Sequence, residues 1–277
     1  MKKIIIGIVS LSLIAANAKA QAVLDTTMLI CNYKYMYVTD TLQHTRKDDM
    51  MILAIGRNIC KFYSETNRLY DSAVKVQMQK IITESGNRIH INSDNIPQIK
   101  RSEVKAVMYF NYPKGKITTF DRILFVYEYE EDIENINWQF IHDESKEILG
   151  YTCKKATCRF RGRDYEAWYT PDIPINLGVW KFSGLPGLIL RVSDSQEQVQ
   201  FVCESVEKLS VPIIKDNEIY GNAVKISRKE YLKIERDFYG NPMSVMGQFS
   251  TGTIKDANGN PLPPPTKSLP YNPIELE

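Results

Sequence analysis

Three histidines, five cysteines and one run of acids are the residues of this chain with the chemistry to catalyse or to ligate. His44, His90 and His142 fall in separated segments, and no HExxH or GxSxG spacing ties them to a metal-bound water or a serine nucleophile. His142-Asp143 beside Glu144 offers an acid and a base by type, but neighbours on an extended chain point apart, so a solvated turn is expected. Glu128, Glu130, Glu131 and Asp132 have cation-binding oxygens without the glycine-centred loop of an EF-hand, and read as the wet edge of a strand. No catalytic residue, metal or cofactor is assigned, and a non-enzymatic role is favoured over a secreted hydrolase whose site no motif reveals.

The compartment is better written than the chemistry. Met1-Lys2-Lys3, the apolar run Ile4 to Ala16 and Ala18-Lys19-Ala20 have the form of a cleaved export signal, 1–20, leaving Gln21 as the new N-terminus. The run is shorter than the roughly 18 residues that a span needs, and no cysteine follows the cleavage site to carry a lipid. A periplasmic or secreted protein without a membrane span is therefore expected. Losing Lys2, Lys3 and Lys19 turns the formal charge from +2 to −1. The densest basic cluster, Lys154 to Arg163, is offset by Asp164, Glu166 and the acids from Glu128 to Glu134, so nucleic acid is excluded as a partner and both runs read as solvated strand faces.

All five cysteines fall in the exported part, where disulfides are the rule. A hairpin centred near Thr45 sets Cys31 opposite Cys60, which makes them a candidate pair; Cys203 would take Cys153 or Cys158, leaving one thiol over. Cys153 and Cys158, five apart on one strand, face opposite ways and do not suit each other or a zinc ion.

What must position any site is mostly strand. Alternating segments bounded by turn residues recur at Met28 to Val38, Met50 to Tyr63, Lys105 to Tyr112, Lys116 to Tyr129, Asn137 to His142, Ile148 to Phe160, Arg163 to Tyr169, Leu188 to Val192 and Val199 to Leu209. Short turns such as Pro113-Lys114-Gly115 and Arg161-Gly162-Arg163 make the pairing antiparallel. Helical spacing of Val74, Met78, Ile81 and Ile82 predicts a helix from Asp71 to Ser85 stopped by Gly86, with Met78 in the core. Ser227-Arg228-Lys229-Glu230 is a capping box opening a helix that Gly240 ends. The fold expected is mainly β: one domain over 21–254, a strongly curved antiparallel sheet or half-barrel with two helices packed on it. A Pro-rich tail, 255–277, follows, with Tyr271, Ile274 and Leu276 able to dock it.

The stretch Glu166 to Asp194 combines large aromatics with rigid prolines and no nucleophile. It reads as a recognition surface for an apolar, peptide or protein ligand, built from Trp168, Tyr169, Pro171, Trp180, Phe182, Leu185, Pro186 and Leu188. In Leu185-Pro186-Gly187-Leu188 the order of proline and glycine suits a type II turn that starts a strand.

Gly184-Leu185-Pro186-Gly187-Leu188-Ile189 resembles the signature of the bacterial GLPGLI family, and Ile148 to Ala156, Phe160 to Arg163, Ala167 to Thr170, Ile173-Pro174 and Tyr271 to Leu276 are similar to its other blocks. Val179 departs from the family, which carries proline there. The resemblance implies an exported envelope protein accompanying an outer-membrane transport system, with an outer-membrane or periplasmic protein as partner, and implies no reaction. The hairpin order, Ile148-Leu149-Gly150-Tyr151 and Trp168-Tyr169-Thr170 also resemble the half-barrel of outer-membrane lipoprotein carriers, a likeness of fold alone.

Overall fold

A computed structural model describes residues 22–85, 99–215, 220–247 and 268–276. The segment read as an export signal, Gly86, His90 and the prolines at 261–265 lie outside them.

Alternating burial builds the strands. On β1 (Val23–Asp40), Cys31, Tyr33 and Tyr35 are buried while the residues between them are less so. Its partner β2 (Thr45–Gly56) turns Met51, Leu53 and Ile55 to the same face, opposite Tyr33, Cys31 and Leu29. The face continues through β3 (Cys60–Ser64), β4 (Val107–Phe110), β5 (Lys116–Arg122) and β6 (Val126–Asp132). On the other side of β1 lie β11 (Val199–Glu207), β10 (Leu188–Asp194), β9 (Arg163–Thr170), β8 (Tyr151–Phe160) and, at the edge, β7 (Gln139–Ile148). Short β12 (Pro212–Ile214) pairs with the start of β1, and β13 (Val224–Lys225) lies parallel to β6, in a sheet otherwise antiparallel. The sheet is open, ending at β7 and β13.

Two predicted strands are each two strands. Met50 to Tyr63 breaks after Gly56 because the Asp25 carboxylate accepts hydrogen bonds from the N–H groups of Asn58 (2.7 Å) and Ile59 (3.0 Å), which fixes a turn there. Lys116 to Tyr129 turns back at Ile123, whose N–H bonds Phe125 O at 3.3 Å. The first break overturns the disulfide expectation. Cys31 faces Leu53 and Cys60 faces Ile55 from opposite sides of β2. Two strand spacings are about 9.6 Å, beyond the roughly 7 Å that a disulfide spans between Cα atoms. Cys203 on β11 is likewise parted from Cys153 and Cys158 on β8 by β10 and β9. All five are buried free thiols, and burial lifts Cys60, Cys158 and Cys203 to about 12.

Three helices are present among the described residues. α1 (Glu65–Ser85) begins earlier than its periodicity predicts, because the Ser64 hydroxyl caps the Asn67 N–H at 3.0 Å. α2 (Arg228–Gly240) opens on the predicted capping box of Ser227 and Glu230. It lays Tyr231 on the inner face of β6, stacked on Tyr129 with centroids 4.9 Å apart. α3 (Pro242–Gly247) follows. Residues 268–276 return to the sheet: Leu269 N–H bonds Tyr239 O, Asn272 bonds Val38 O and Leu276 N–H bonds Arg161 O. Among the described residues no helix is long and apolar enough to cross a membrane.

Candidate functional site

The loop from β9 to β10 folds inward. Inside it Leu177 bridges Ser183, Gly178 N–H bonds Phe182 O and Phe182 N–H bonds Val179 O, a tight hairpin with Trp180 and Lys181 at its tip. Trp180 takes φ +51°, a conformation that a bulky residue adopts at a cost of about 1–3 kcal/mol. Phe182 offsets it by packing against Phe160, Tyr165, Trp138 and Trp180, with centroids 4.8 to 6.1 Å apart. The hairpin closes into the GLPGLI segment. There Gly187 N–H bonds Leu185 O and Leu188 N–H bonds Ile173 O, and Gly187 has φ +155°. This is tighter than the type II turn predicted, which needs φ near +80° at the glycine. A Cβ on Gly187 would lie 2.1 Å from Thr170 O, so the glycine lets two backbones touch.

The segment read as a surface is mainly interior. Trp180, Phe182, Leu185 and Leu188 belong to the core, Tyr169 packs edge-on to Phe140, and Pro171 and Pro186 are exposed. Trp168 lies beneath Lys146 and Lys155, with its indole N–H on Glu166 at 2.8 Å. Trp180, of these eight, borders a cavity on the inner side of the sheet.

That cavity, about 200 Å³, lies between the inner face of the sheet, α2 and the C-terminal segment. Tyr35, Phe62, Tyr129, Phe201, Tyr231 and Trp180 give it aromatic walls. Four acids border it, Glu103, Asp121, Glu235 and Glu275, against Lys105 and Arg122. Burial lifts Asp121 above its ordinary value, against the pull of its Tyr231 hydrogen bond and of Lys105. Burial and then Asp121 push Glu235 up to about 7, although Tyr271 donates to it at 3.0 Å. Glu275 is different: burial would raise it, but Lys181 (2.6 Å) and Arg228 (2.9 Å) hold it below its ordinary value.

Of the charged runs predicted to be solvated, Lys154, Arg159, Glu130 and Asp132 are exposed as expected, but Arg161, Arg163, Glu128 and Glu131 turn inward, which corrects that reading for them. Arg161 reaches Glu131 at 2.7 Å and Glu134 at 2.5 Å, and Lys181, its side chain 1% exposed, pairs with both Glu131 and Glu275. Arg163 binds Asp194 (3.0 Å), Asn272 (2.8 Å) and Pro273 O (2.7 Å), so the C-terminal segment is held by side chains of β9. His142, Asp143 and Glu144 are exposed in a bulge of β7, as expected of a solvated turn. Among the described residues no three His, Cys, Asp or Glu side chains are placed to hold a metal ion.

Sequence reasoning missed Asp121, Glu235 and Glu275. None belongs to a motif, and their convergence is a property of the folded sheet alone. The traces that were available are the capping box, which places α2, and the apolar Tyr271 and Ile274 around Glu275.

No curated protein matches the chain. Two solved structures of PNGF-II, in the P21 and C2 space groups, are similar at 14% identity with TM-scores of 0.49 and 0.48, each covering 76% of this chain. The chain spans about a third of the PNGF-II chain, 32%. Residues 160–191, from the end of β8 through the Trp180 hairpin to β10, match the family described as "Protein of unknown function (Porph_ging)", the GLPGLI type.

Proposed function

We propose that this chain is an exported binding protein of the cell envelope, with its ligand site in the aromatic cavity on the concave side of a strongly curved sheet. Curvature is supported by the Arg161 to Glu131 pair at 2.7 Å. Arg161 leads into β9, and seven strands separate β9 from β6 in the sheet order. Laid flat at about 4.8 Å per strand they would be roughly 40 Å apart. Export rests on the signal-like N-terminus, and association with an outer-membrane transport system on the family resemblance.

One observation carries the choice of ligand: four acids against two bases, set among aromatic faces, border one cavity. An organic ammonium, such as the amino end or a lysine side chain of a peptide, would relieve the Asp121 and Glu235 repulsion and lie against Trp180 or Tyr231. Calorimetric titration with a short free-amine peptide and its N-acetylated form tests this. The free amine should bind at least tenfold tighter, its affinity should rise as pH passes about 7 and Glu235 ionises, and Glu235→Gln should abolish the difference. Equal binding of the acetylated peptide would overturn the reading.

The hydrolase reading is favoured by one feature. Asp121 and Glu235 together retain a proton near neutral pH, which suits one to give and the other to take a proton from water. Recovery of the peptide intact after long incubation supports binding; cleavage that Glu235→Gln removes supports catalysis.

A further inference from the structure

The opposite face of the sheet carries a second, larger hollow with the opposite charge. It lies under α1, over the outer face of β1 to β5, and has a volume of about 810 Å³, within the range of small-molecule sites. Lys61, Arg68, Lys75, Arg101, Lys105 and Arg122 border it, and Asp71 is the lone acid among the described residues that do. The lining side chains sum to a formal charge of +5, reduced to +4 by Glu65, which pairs with Arg68 at 2.5 Å, in a chain whose charges otherwise nearly cancel. Lys105 feels this crowding: burial first, then Arg101, with Arg122 adding to it, lowers its pKa, against the pull of Asp121.

The floor is apolar. Ile30, Ala54, Val107 and Ile213 line it from the sheet, and Val74 faces it from α1. Val74 is half-buried, so the helix crosses this face without closing onto it. Cations alone would suit a free anion and an apolar floor alone would suit any chain of methylenes. Both in one groove select a molecule with both parts.

We propose that this groove binds an anionic amphiphile, an acyl chain ending in a carboxylate or phosphate, with the chain on the apolar floor and the head among Arg101, Lys105 and Lys75. The groove meets the aromatic cavity only at Val104 to Ala106 and Arg122, and the proposal does not rest on the ammonium reading. The probes are dodecanoate and dodecyl phosphate, which share the chain and differ in the head. Hexanoate, dodecanol and inorganic phosphate each lack one part. All are titrated below micelle formation into the full-length exported protein.

Dodecanoate or dodecyl phosphate should bind at least tenfold tighter than all three controls, with a loss of about fourfold per methylene removed. The double variant Lys75→Glu/Arg101→Glu, at two exposed positions, should weaken either probe at least tenfold with thermal stability unchanged. Glu235→Gln should leave binding as it is, which separates a failure here from a failure of the cavity reading. Dodecanol binding as tightly as dodecanoate, phosphate alone binding as tightly as dodecyl phosphate, or an indifferent double variant would each overturn the proposal.

Discussion

Glu235 shows how one side chain couples the cavity to stability. Its carboxyl is raised to about 7, so between about pH 4.5 and 7 the folded protein holds a proton that the unfolded chain has released. Stability therefore falls as pH rises across that window, and the loss is complete above 7. Glu235→Gln removes the charge and keeps an acceptor for Tyr271. The variant should gain about 1–3 kcal/mol over the parent at pH 8 and little at pH 4.5, read from thermal melts at the two values. Lys181 makes the converse case. Its ammonium is almost wholly enclosed between Glu131 and Glu275, so Lys181→Met leaves buried carboxylates short of a partner and should cost about 3–5 kcal/mol in a denaturant titration. Both residues act through neighbours distant in the sequence, which is why their types and local spacing signalled neither role.

Among the elements, the GLPGLI turn and the C-terminal segment matter most to the cavity. Gly187→Ala drives a methyl into the Thr170 carbonyl and must displace β9 or β10. A loss of about 1–3 kcal/mol is expected, with the largest rise in amide exchange at Leu188, whose N–H is held by Ile173 O. The C-terminal segment makes one wall of the cavity through Pro273, Ile274 and Glu275. Arg163 fastens it with bonds to Asn272 and Pro273 O. In Arg163→Met the amides of Leu269 and Leu276 should lose exchange protection while those of β2 keep theirs; unchanged protection would mean that the ion pairs of Glu275 alone hold the segment. Hairpins and caps of this kind were readable in advance: the capping box at Ser227 and the turn at Gly162 are local chemistry. The Asp25 clasp on Asn58 and Ile59 was not, because it joins residues more than thirty positions apart and gives no periodic sign.

For the whole molecule, the thiols give a direct test of topology. With β2 between Cys31 and Cys60, and β10 and β9 between Cys203 and the cysteines of β8, mass spectrometry should find all five cysteines alkylated after denaturation without reductant and none in the native protein. A count of three or one would reveal bridges among thiols that are all free in this structure. The disulfide expectation failed at this scale because it depended on one turn: counting a single strand from Met50 to Tyr63 moves Cys60 one strand too close. By itself the sequence determined the β-rich class, the antiparallel hairpins, the cap of α2 and a nearly balanced net charge, since these follow from period-two alternation, turn residues and composition, which act within a few residues. The tertiary structure alone decided that Trp180 turns inward, that Glu131, Lys181 and Glu275 share one ion cluster, and that Asp121, Glu235 and Glu275 converge on one cavity. Those are contacts across many strands, set by which faces the sheet brings together, and burial then gives each of those charges an environment that its sequence neighbours do not predict.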